Sequence, residues 1–338
     1  MTNSLFYNRL YKWYDHHHRV LPWRETEDGY RIWLSEVILQ QTRVAQGLDY
    51  YMRFVSRWPD VEALAAADED EVLREWQGLG YYNRARNLHK AAQMVVSRGW
   101  QPFPSHFEEI RQLPGVGDYT AGAIASFAYN APYPAMDGNV YRVLARLLDI
   151  DEPFDTTAGK KLFRAHMDEL LDRDHPRLFN SAIMEFGALY CTPALGDNCL
   201  TCPIQAHCMG YAHHTAQLLP VRKPRPKVRD RWFLFHIYIA RVNDELFTLI
   251  HRRDEKDIWY HLYEFPCEEQ NDPIKDSTND PFFQCVHVLS HQRIHAQFIL
   301  HRADTLPSIP GTLRISWREL DQYALSRLTL RALEKMPQ

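Results

Sequence analysis

The spacing of apolar residues predicts two different architectures along the chain. Up to about residue 215, apolar positions recur at helical intervals, as at Trp33, Val37, Ile38 and Val44. After residue 231 the pattern changes to short aromatic and β-branched runs, which are typical of strands. We therefore expect an all-α first half and a small α+β domain after it. Strands are predicted at 232–240, 246–250, 283–289 and 296–300, and a closing helix near 320–333.

A basic, proline-rich stretch separates the two patterns. Residues 219–229 contain three prolines and five cations, a composition that favours an extended, solvated linker. The whole chain has a net charge of −4, but residues 222–231 carry six basic residues against one acid. A local basic strap can contact phosphates whatever the total charge is, so the composition does not exclude a nucleic-acid partner.

The composition also limits where the protein acts. No stretch of about 18 apolar residues occurs, so no transmembrane helix is expected. The N-terminus lacks the apolar segment of a signal peptide, and we expect an intracellular, cytoplasmic protein. In that compartment, clustered cysteines indicate a metal or cluster site before a disulfide framework.

Four of the six cysteines are candidate metal ligands. Cys191, Cys199, Cys202 and Cys208 are spaced Cys-x7-Cys-x2-Cys-x5-Cys. Four thiolates in so short a stretch can hold one tetrahedral metal ion or a [4Fe–4S] cluster, and the spacing alone leaves zinc and iron–sulfur both open.

Glu36 is a candidate acid because of its neighbours. It stands in a helical pattern with Ile32 and Trp33 before it and Leu39 after it. Glutamate is rarely buried without a reason, and burial would raise its pKa enough to make it a usable acid near neutral pH. A solvated position at the edge of the apolar stripe is the alternative.

Gly115 and Gly117 lie in a predicted turn between two helices. The string Leu-Pro-Gly-Val-Gly-Asp-Tyr-Thr-Ala-Gly suits a tight helix–hairpin–helix turn, in which backbone N–H groups at the start of the next helix can hold a phosphate. An ordinary interhelical turn is the alternative.

Two further strings carry candidate chemistry. Asp137 precedes an apolar helical pattern and, taken alone, is best interpreted as a helix N-cap, although a carboxylate there could also face a pocket and oppose positive charge. Tyr81 follows a glycine turn, Gly78 to Gly80, and precedes a basic helix start. An aromatic tip there could wedge into a base stack or could simply be a core tyrosine.

Together these strings resemble the helix–hairpin–helix DNA glycosylase superfamily, and within it the MutY branch of adenine DNA glycosylases. The resemblance runs from about Leu21 to Cys208. The strings that carry it, in the family's order, are Ser-Glu-Val-Ile-Leu-Gln-Gln-Thr, Gly-Leu-Gly-Tyr-Tyr, Leu-Pro-Gly-Val-Gly, Met-Asp-Gly-Asn-Val and the four cysteines. One departure is the seven residues between Cys191 and Cys199, where the family usually has six.

The resemblance implies a multidomain fold. It predicts an all-α glycosylase domain at 1–218, with a six-helix core at about 23–134 and a cluster subdomain from 1–22 and 135–218. The linker then spans 219–231, and a Nudix-like domain that reads 8-oxoguanine spans 232–338. The segment 258–266 is its most telling part, but the metal-binding pattern of Nudix hydrolases is missing.

The resemblance also implies an activity and a set of site residues. The expected enzyme is a monofunctional, monomeric base excision repair glycosylase that hydrolyses the bond between sugar and adenine in duplex DNA, where adenine is mispaired with 8-oxoguanine or guanine. Glu36 would be the general acid and Asp137 would stabilise the sugar cation, with Tyr119 and Asn139 as supporting polar groups. The four cysteines would hold a [4Fe–4S] cluster.

The remaining implied residues would contact DNA. Arg24, Leu39 and Val44 fall where the family lines its adenine pocket, and Gln41 and Tyr81 match positions that fill the stack opposite the flipped base. Gly115 and Gly117 would hold phosphate, with a cation bound at the hairpin. Ser290 and His291 would read the oxidised base, where Leu289 replaces the family's phenylalanine.

Three rival functions are weighed against this one. An endonuclease III-like glycosylase acting on damaged pyrimidines would carry a lysine at position 119. A non-catalytic lesion-binding protein would not need both carboxylates. A Nudix pyrophosphatase would need the metal-binding pattern that is missing.

Overall fold

The computed structural model describes residues 3–224, 228–273 and 280–337, with Asn3, Gly196 and Asp197 described by their backbone only. The chain separates into two compact units. The first comprises Met1–Ala65 and Lys90–Pro224, and the second comprises Ala66–His89 and Arg225–Gln338. In the described part of the chain no helix combines the length and the apolar character needed to cross a bilayer.

Helices build the chain up to residue 218, as the apolar periodicity predicts. The α-helices there are α1 Asn3–His17, α2 Gly29–Ile38, α3 Val44–Arg57, α4 Val61–Ala66, α5 Glu69–Glu75, α6 Asn83–Ser97, α7 Phe107–Arg111, α8 Asp118–Tyr129, α9 Gly138–Leu148, α10 Thr157–Leu170, α11 Pro176–Leu189 and α12 Met209–Ala212. Short 3₁₀ helices follow α11 at Gly196–Thr201, Gln205–His207 and Ala216–Leu218.

The helix–hairpin–helix turn lies between α7 and α8. Helix α8 is buried along most of its length, and Gly122 lets it approach a neighbouring loop, because a Cβ there would lie 2.7 Å from the Pro134 carbonyl oxygen. Helix α2, which packs against α8, is buried on every side except at Arg31. Any polar side chain of α2 other than Arg31 is therefore held in the interior.

A second cluster of apolar side chains joins the N-terminal helix to the later helices. Side chains of α1, α9, α10 and α11 meet there, with Leu10, Leu144, Phe163 and Phe179 fully buried. This packing brings helix α1 against the helices that follow residue 135, which helps to fix the position of α9.

The second unit is built on a seven-stranded mixed sheet. Its strands are β1 Arg229–Val242, β2 Glu245–Arg252, β3 Tyr263–Glu264, β4 Cys267–Gln270, β5 Phe283–Val288, β6 Gln292–Ala303 and β7 Leu313–Ser316. The order is β3-β2-β1-β6-β5, with β4 added to β1 and β7 added to β2. Only the β1–β6 pair is parallel, and the other pairs among these described strands are antiparallel.

The four strands predicted from sequence are confirmed as β1, β2, β5 and β6, and β6 is longer than predicted. The closing helix is shorter than predicted: α13 covers only Arg327–Leu333, and a 3₁₀ helix covers Trp317–Gln322. The break has a local cause, since Ser326 caps α13 by accepting from Thr329 N, and Leu325 forms a bridge with Tyr263.

The observed units divide the chain differently from a simple two-half division, because 66–89 groups with the second unit. The domain boundaries expected from sequence stay a prediction. Residues 225–227 of the predicted linker lie outside the described residues, while Lys223 N donates to Asp155 in the first unit (2.9 Å).

Candidate active site and cysteine loop

A pocket of about 550 Å³ opens in the first unit, a volume typical of small-molecule sites. Both carboxylates singled out from sequence reach it. Its lining residues are Arg19, Leu21, Trp23, Arg24, Glu36, Leu39, Gln40, Gln41, Thr42, Val44, Tyr119, Asp137, Gly138, Asn139, Met184, Glu185 and Ala188.

Glu36 is the buried acid of this pocket. It lies near the end of α2 with only 9% of its surface exposed, so its charged form has lost most of its hydration. This burial raises its pKa from 4.5 to about 7. The Tyr119 hydroxyl donates to Glu36 Oε2 (2.9 Å), and this bond and the charge of Arg24 oppose the rise, while nearby Asp137 adds to it. Glu36 can therefore both give and take a proton near neutral pH.

Asp137 combines the two interpretations that the sequence left open. It caps α9, because Oδ1 accepts from the backbone N–H groups of Asn139 (2.9 Å) and Val140 (2.8 Å). Its other oxygen, Oδ2, accepts from the Asn139 side chain (2.7 Å), and the residue also lines the pocket. Burial raises the pKa of Asp137, but these three bonds favour its carboxylate form. The cap thus holds the Asp137 carboxyl group in a fixed orientation.

Asn139 is itself held in place. Its side-chain oxygen accepts from Arg142 Nη2 (2.8 Å), which also donates to the Gly187 carbonyl (2.6 Å). The amide group is consequently oriented with its NH₂ toward Asp137. The structure brings Glu36, Tyr119, Asp137 and Asn139 together in one pocket, as the resemblance leads one to expect.

An ion pair in the pocket wall was missed at the level of sequence. Glu185 on α11 is 2% exposed at its side chain and accepts from Arg19 Nε (2.6 Å), Arg19 Nη2 (2.8 Å) and the Arg19 backbone N–H (3.0 Å). Although burial raises the pKa of Glu185, the bonds from Arg19 outweigh it and lower the pKa below its ordinary value. The pocket therefore contains a permanent anion–cation pair beside the titrating Glu36.

Arg24, Leu39 and Val44 line the same pocket, where the resemblance places them. Gln41, which the resemblance places in the base stack, lines this pocket as well. The Arg24 guanidinium lies 5.4 Å from the centre of the Phe127 ring. Gln41 is exposed and has a left-handed backbone (φ 56°), which is uncommon for a residue with a side chain. Such a conformation directs the side chain away from the regular helix path.

Gly115 and Gly117 occupy the hairpin turn. Gly115 has φ 77°, a left-handed value that favours glycine, and Gly117 is the N-cap of α8 without a side-chain cap bond. A Cβ added at Gly117 would meet nothing within 4 Å, so this helix start has open space beside it. A phosphate oxygen could approach the backbone there.

Tyr81, Ser290 and His291 belong to the second unit. Tyr81 has a left-handed backbone (φ 49°), is 47% exposed, and its hydroxyl hydrogen-bonds the Ser290 hydroxyl. Ser290 and His291 are exposed at the turn between β5 and β6, and the His291 carbonyl accepts from Arg229 N (3.0 Å). Tyr81, which is expected to enter the base stack, is therefore in contact with Ser290, which is expected to read the oxidised base.

The four clustered cysteines line one small cavity. Cys191, Cys199, Cys202 and Cys208 surround about 30 Å³ together with Arg146, whose Nη1 lies 3.4 Å from Cys191 Sγ. Gly210 permits this wrapping, because a Cβ there would lie 2.6 Å from the Arg146 carbonyl oxygen. Burial raises the pKa of the Cys202 thiol to about 12. Among the described residues, no set of three or more His, Cys, Asp and Glu is arranged as a ligand set for an ion.

Comparison with known families finds two matches along the chain. Residues 34–171 match the family described as "HhH-GPD superfamily base excision DNA repair protein", and residues 237–335 match the "NUDIX domain" family. Among solved structures, a thermostable thymine-DNA glycosylase superposes with a TM-score of 0.56 at 25% identity, over 62% of this chain and 97% of that one.

Curated relatives are adenine DNA glycosylases from bacteria and eukaryotes. The protein from Buchnera aphidicola subsp. Baizongia pistaciae is 33% identical over 270 residues, which is 79% of this chain and 74% of that protein. The mouse (Mus musculus) protein is 40% identical over 237 residues, which is 67% of this chain but only 46% of that protein. The chain therefore belongs to the adenine DNA glycosylase family, with an HhH-GPD domain followed by a NUDIX domain.

Proposed function

We propose that this protein removes adenine from duplex DNA by hydrolysing the bond between the base and its sugar. The observation that carries the proposal is the pocket that holds Glu36, Tyr119 and Asp137 together. An adenine inside a duplex cannot reach a buried carboxyl group, so the nucleotide must be flipped out of the stack.

Glu36 supplies the proton. Adenine is a poor leaving group as an anion, and a proton on its ring lets it leave neutral. With a pKa of about 7, Glu36 is protonated in a large fraction of molecules at neutral pH and is a strong enough acid to share its proton in the transition state. Tyr119 orients it by donating to Oε2.

Asp137 acts on the sugar. As the base departs, positive charge develops on the sugar ring, as in glycoside hydrolysis. The carboxylate at the start of α9, oriented by Asn139 and by two backbone N–H groups, stabilises this charge or captures the sugar covalently. Glu36, now deprotonated, then serves as the base that activates water. Strand cleavage by a related glycosylase would need a lysine at position 119, where this chain has tyrosine. We therefore propose that the enzyme removes the base without cutting the strand.

The pocket wall recognises the base. Leu21, Trp23, Leu39 and Val44 supply apolar surface for a flat ring, and the Arg19–Glu185 pair supplies fixed donors and acceptors at its edge. Because Arg19 and Glu185 already pair with each other, they present a fixed charged edge to whichever base enters. We expect this edge to contribute to the choice of adenine over other bases.

The remaining surface holds DNA and reads the opposite base. Gln41 and Tyr81 enter the stack, while the hairpin at Gly115 and Gly117, with a bound cation, holds a phosphate. Ser290 and His291 read 8-oxoguanine or guanine opposite the adenine. The exposed positions of Gln41, Tyr81 and the β5–β6 turn support these roles.

We further propose that the four cysteines hold a [4Fe–4S] cluster. The chemistry of the donors supports the proposal, because four thiols line one cavity, although their side chains are not arranged around a common centre. Burial raises the pKa of the Cys199, Cys202 and Cys208 thiols, so a bound metal would be needed to hold them as thiolates. When bound, the cluster stabilises the loop after α11. Residues of this chain, and not the cluster, carry out base excision.

Single-turnover excision on four duplexes of otherwise identical sequence tests the proposal. Three contain adenine, opposite 8-oxoguanine, guanine or thymine, and the fourth contains an oxidised pyrimidine. We expect release of adenine opposite 8-oxoguanine and guanine, with much slower release opposite thymine, and no release by Glu36→Gln. Release of an oxidised pyrimidine with adenine left intact would contradict the proposal and favour an endonuclease III-like activity. Ser290→Ala with His291→Ala should reduce the preference for 8-oxoguanine over guanine.

A further inference from the structure

A cluster of polar contacts joins segment 66–89 to the Nudix-like domain within the second unit. Glu69 and Asp70, the first two residues of α5, face Arg252 at the end of β2, with Arg252 Nη2 3.4 Å from Glu69 Oε1 and 3.6 Å from Asp70 Oδ1. His261 hydrogen-bonds Glu69, and the Tyr263 hydroxyl donates to Asp70 Oδ2 (3.2 Å). We call these five side chains the clasp.

The clasp is not a loose surface pair. The side chains of Glu69, Arg252 and His261 are 23%, 34% and 22% exposed, so solvent screens their charges less than it screens fully exposed groups, whereas Asp70 is 44% exposed and is screened more. Each carboxylate also has two partners on the Nudix-like domain, which fixes the direction of α5 as well as its distance.

The same segment is held again beyond the clasp. Gln77 Oε1 accepts from Leu325 N (3.0 Å), and the Tyr82 hydroxyl donates to the Leu325 carbonyl (3.3 Å). Arg86 donates to the Tyr260 carbonyl, and its guanidinium lies 5.0 Å from the centre of the Tyr260 ring. Contacts to the Nudix-like domain therefore occur on both sides of the glycine turn.

Tyr81 lies between these two groups of contacts. Gly80, with φ 73°, and Tyr81, with φ 49°, both have left-handed backbones, and the Tyr81 hydroxyl meets Ser290. The turn itself is held locally, because Trp76 Nε1 and Arg84 Nη2 both donate to the Gly80 carbonyl (3.1 and 3.2 Å). The clasp and the Leu325 contacts act at the next level: they hold α5 before the turn, and the residues on both sides of it, against the Nudix-like domain.

We propose that the clasp is a positioning device for reading the base opposite adenine. It holds the turn carrying Tyr81 against the loop carrying Ser290 and His291, so that the wedge and the reader meet DNA as one surface. None of the five clasp residues is among those that line the pocket of Glu36, so we treat them as positioning residues. This inference rests on the proposed reading of 8-oxoguanine by the Nudix-like domain.

Charge reversal at the clasp tests the proposal. Arg252→Glu places a third carboxylate against Glu69 and Asp70. The ratio of single-turnover excision rates for adenine opposite 8-oxoguanine and opposite guanine should fall by roughly three- to tenfold, as expected when two partly buried ion pairs become a repulsion. The rate opposite guanine should fall less than the rate opposite 8-oxoguanine, because the residues that line the pocket of Glu36 are unchanged. The double variant Arg252→Glu with Glu69→Arg exchanges the two charges, so it should restore most of the wild-type ratio.

A matched control uses an ion pair of the same domain. Arg327 pairs with Glu334 (3.1 Å) at the surface of α13, so Arg327→Glu changes charge equally without touching the clasp, and the ratio should stay at the wild-type value. Thermal unfolding checks that each variant is folded. If Arg252→Glu does not fold, Arg252→Gln, which removes the attraction without repulsion, should give a smaller loss of the ratio in the same direction.

The outcomes separate two failures. A wild-type ratio near one would overturn the reading function, and the clasp proposal with it. A wild-type preference that persists in folded Arg252→Glu would overturn the clasp proposal alone. Equal losses on both duplexes, or no recovery in the swapped double variant, would show a purely structural role and would also overturn it.

Discussion

Glu36→Gln should make the protein inactive and, at alkaline pH, more stable. Glutamine keeps the shape of the side chain and the acceptor for the Tyr119 hydroxyl, but it has no proton to give. Losing both the acid and the base role should lower the rate of adenine excision by at least ~10²–10⁴-fold, while binding to a mismatched duplex is retained.

The stability gain follows from the pKa of Glu36, which folding raises from 4.5 to about 7. The folded protein binds this proton more tightly than the unfolded chain does. The free energy of unfolding therefore falls as the pH rises from 4.5 to about 7, and it stays lower above that value. Since each pKa unit corresponds to about 1.4 kcal/mol, the cost of ionised Glu36 reaches roughly 3 kcal/mol at alkaline pH.

Urea unfolding at pH 5 and at pH 8.5 measures this difference. The free energy of unfolding of Glu36→Gln should exceed that of the wild type only slightly at about pH 5. The difference should grow to roughly 2–3 kcal/mol at about pH 8.5. Glu185→Gln is the matched control with the opposite sign. The Arg19 partner lowers the pKa of Glu185, so its charge stabilises the fold above its unfolded pKa, and this contribution is lost as the pH falls through the lowered value.

Between about pH 5 and about pH 8.5, Glu36→Gln should thus gain stability relative to the wild type, whereas Glu185→Gln should be less stable than the wild type by nearly the same amount at both pH values. A pH-independent effect of Glu36→Gln would refute the reasoning, because it would mean that the folded protein does not hold the Glu36 proton more tightly than the unfolded chain.

Three shorter predictions concern the same unit. Tyr119→Phe removes the donor to Glu36, so the pKa of Glu36 should rise and the alkaline limb of the pH–rate profile should move up by about one pH unit or more; an unmoved limb would contradict this. Tyr119→Lys should give borohydride-trappable complex and strand cleavage, which the wild type lacks. Cys208→Ser should lose the visible absorbance and iron of purified protein, whereas stoichiometric zinc in colourless wild type would identify a different metal.

Much of the candidate site could be predicted because its signals are local. Glu36 stands among apolar neighbours in one helix, and that pattern predicts its burial. Asp137 begins a helix, and a cap and a pocket carboxylate turn out to be the same group. These inferences need only helical periodicity and the resemblance of short strings in a fixed order.

The parts that sequence did not predict depend on contacts between distant residues. Glu185 has the same kind of apolar surroundings as Glu36, which could have marked it, but its partner Arg19 is 166 positions away. Strands β3, β4 and β7 have two to four residues, too few for a period to be visible. The grouping of 66–89 with the Nudix-like domain depends on side chains such as Glu69 and Arg252, which no local pattern connects.

The second unit is assembled from stretches that are made at different times. The pocket needs residues only as far as Ala188, whereas the bond between Gln77 and Leu325 spans 248 positions. At about 5–20 residues per second, Leu325 is added roughly 12–50 s after Gln77. In the later part of that interval a nascent chain has every residue of the pocket but lacks most of the domain proposed to check the opposite base. If synthesis ended between the two domains, the fragment would contain the adenine-excising pocket but not the domain proposed to read the opposite base. On the proposed function, such a fragment would excise adenine with less regard to its partner base and would itself be a source of mutation.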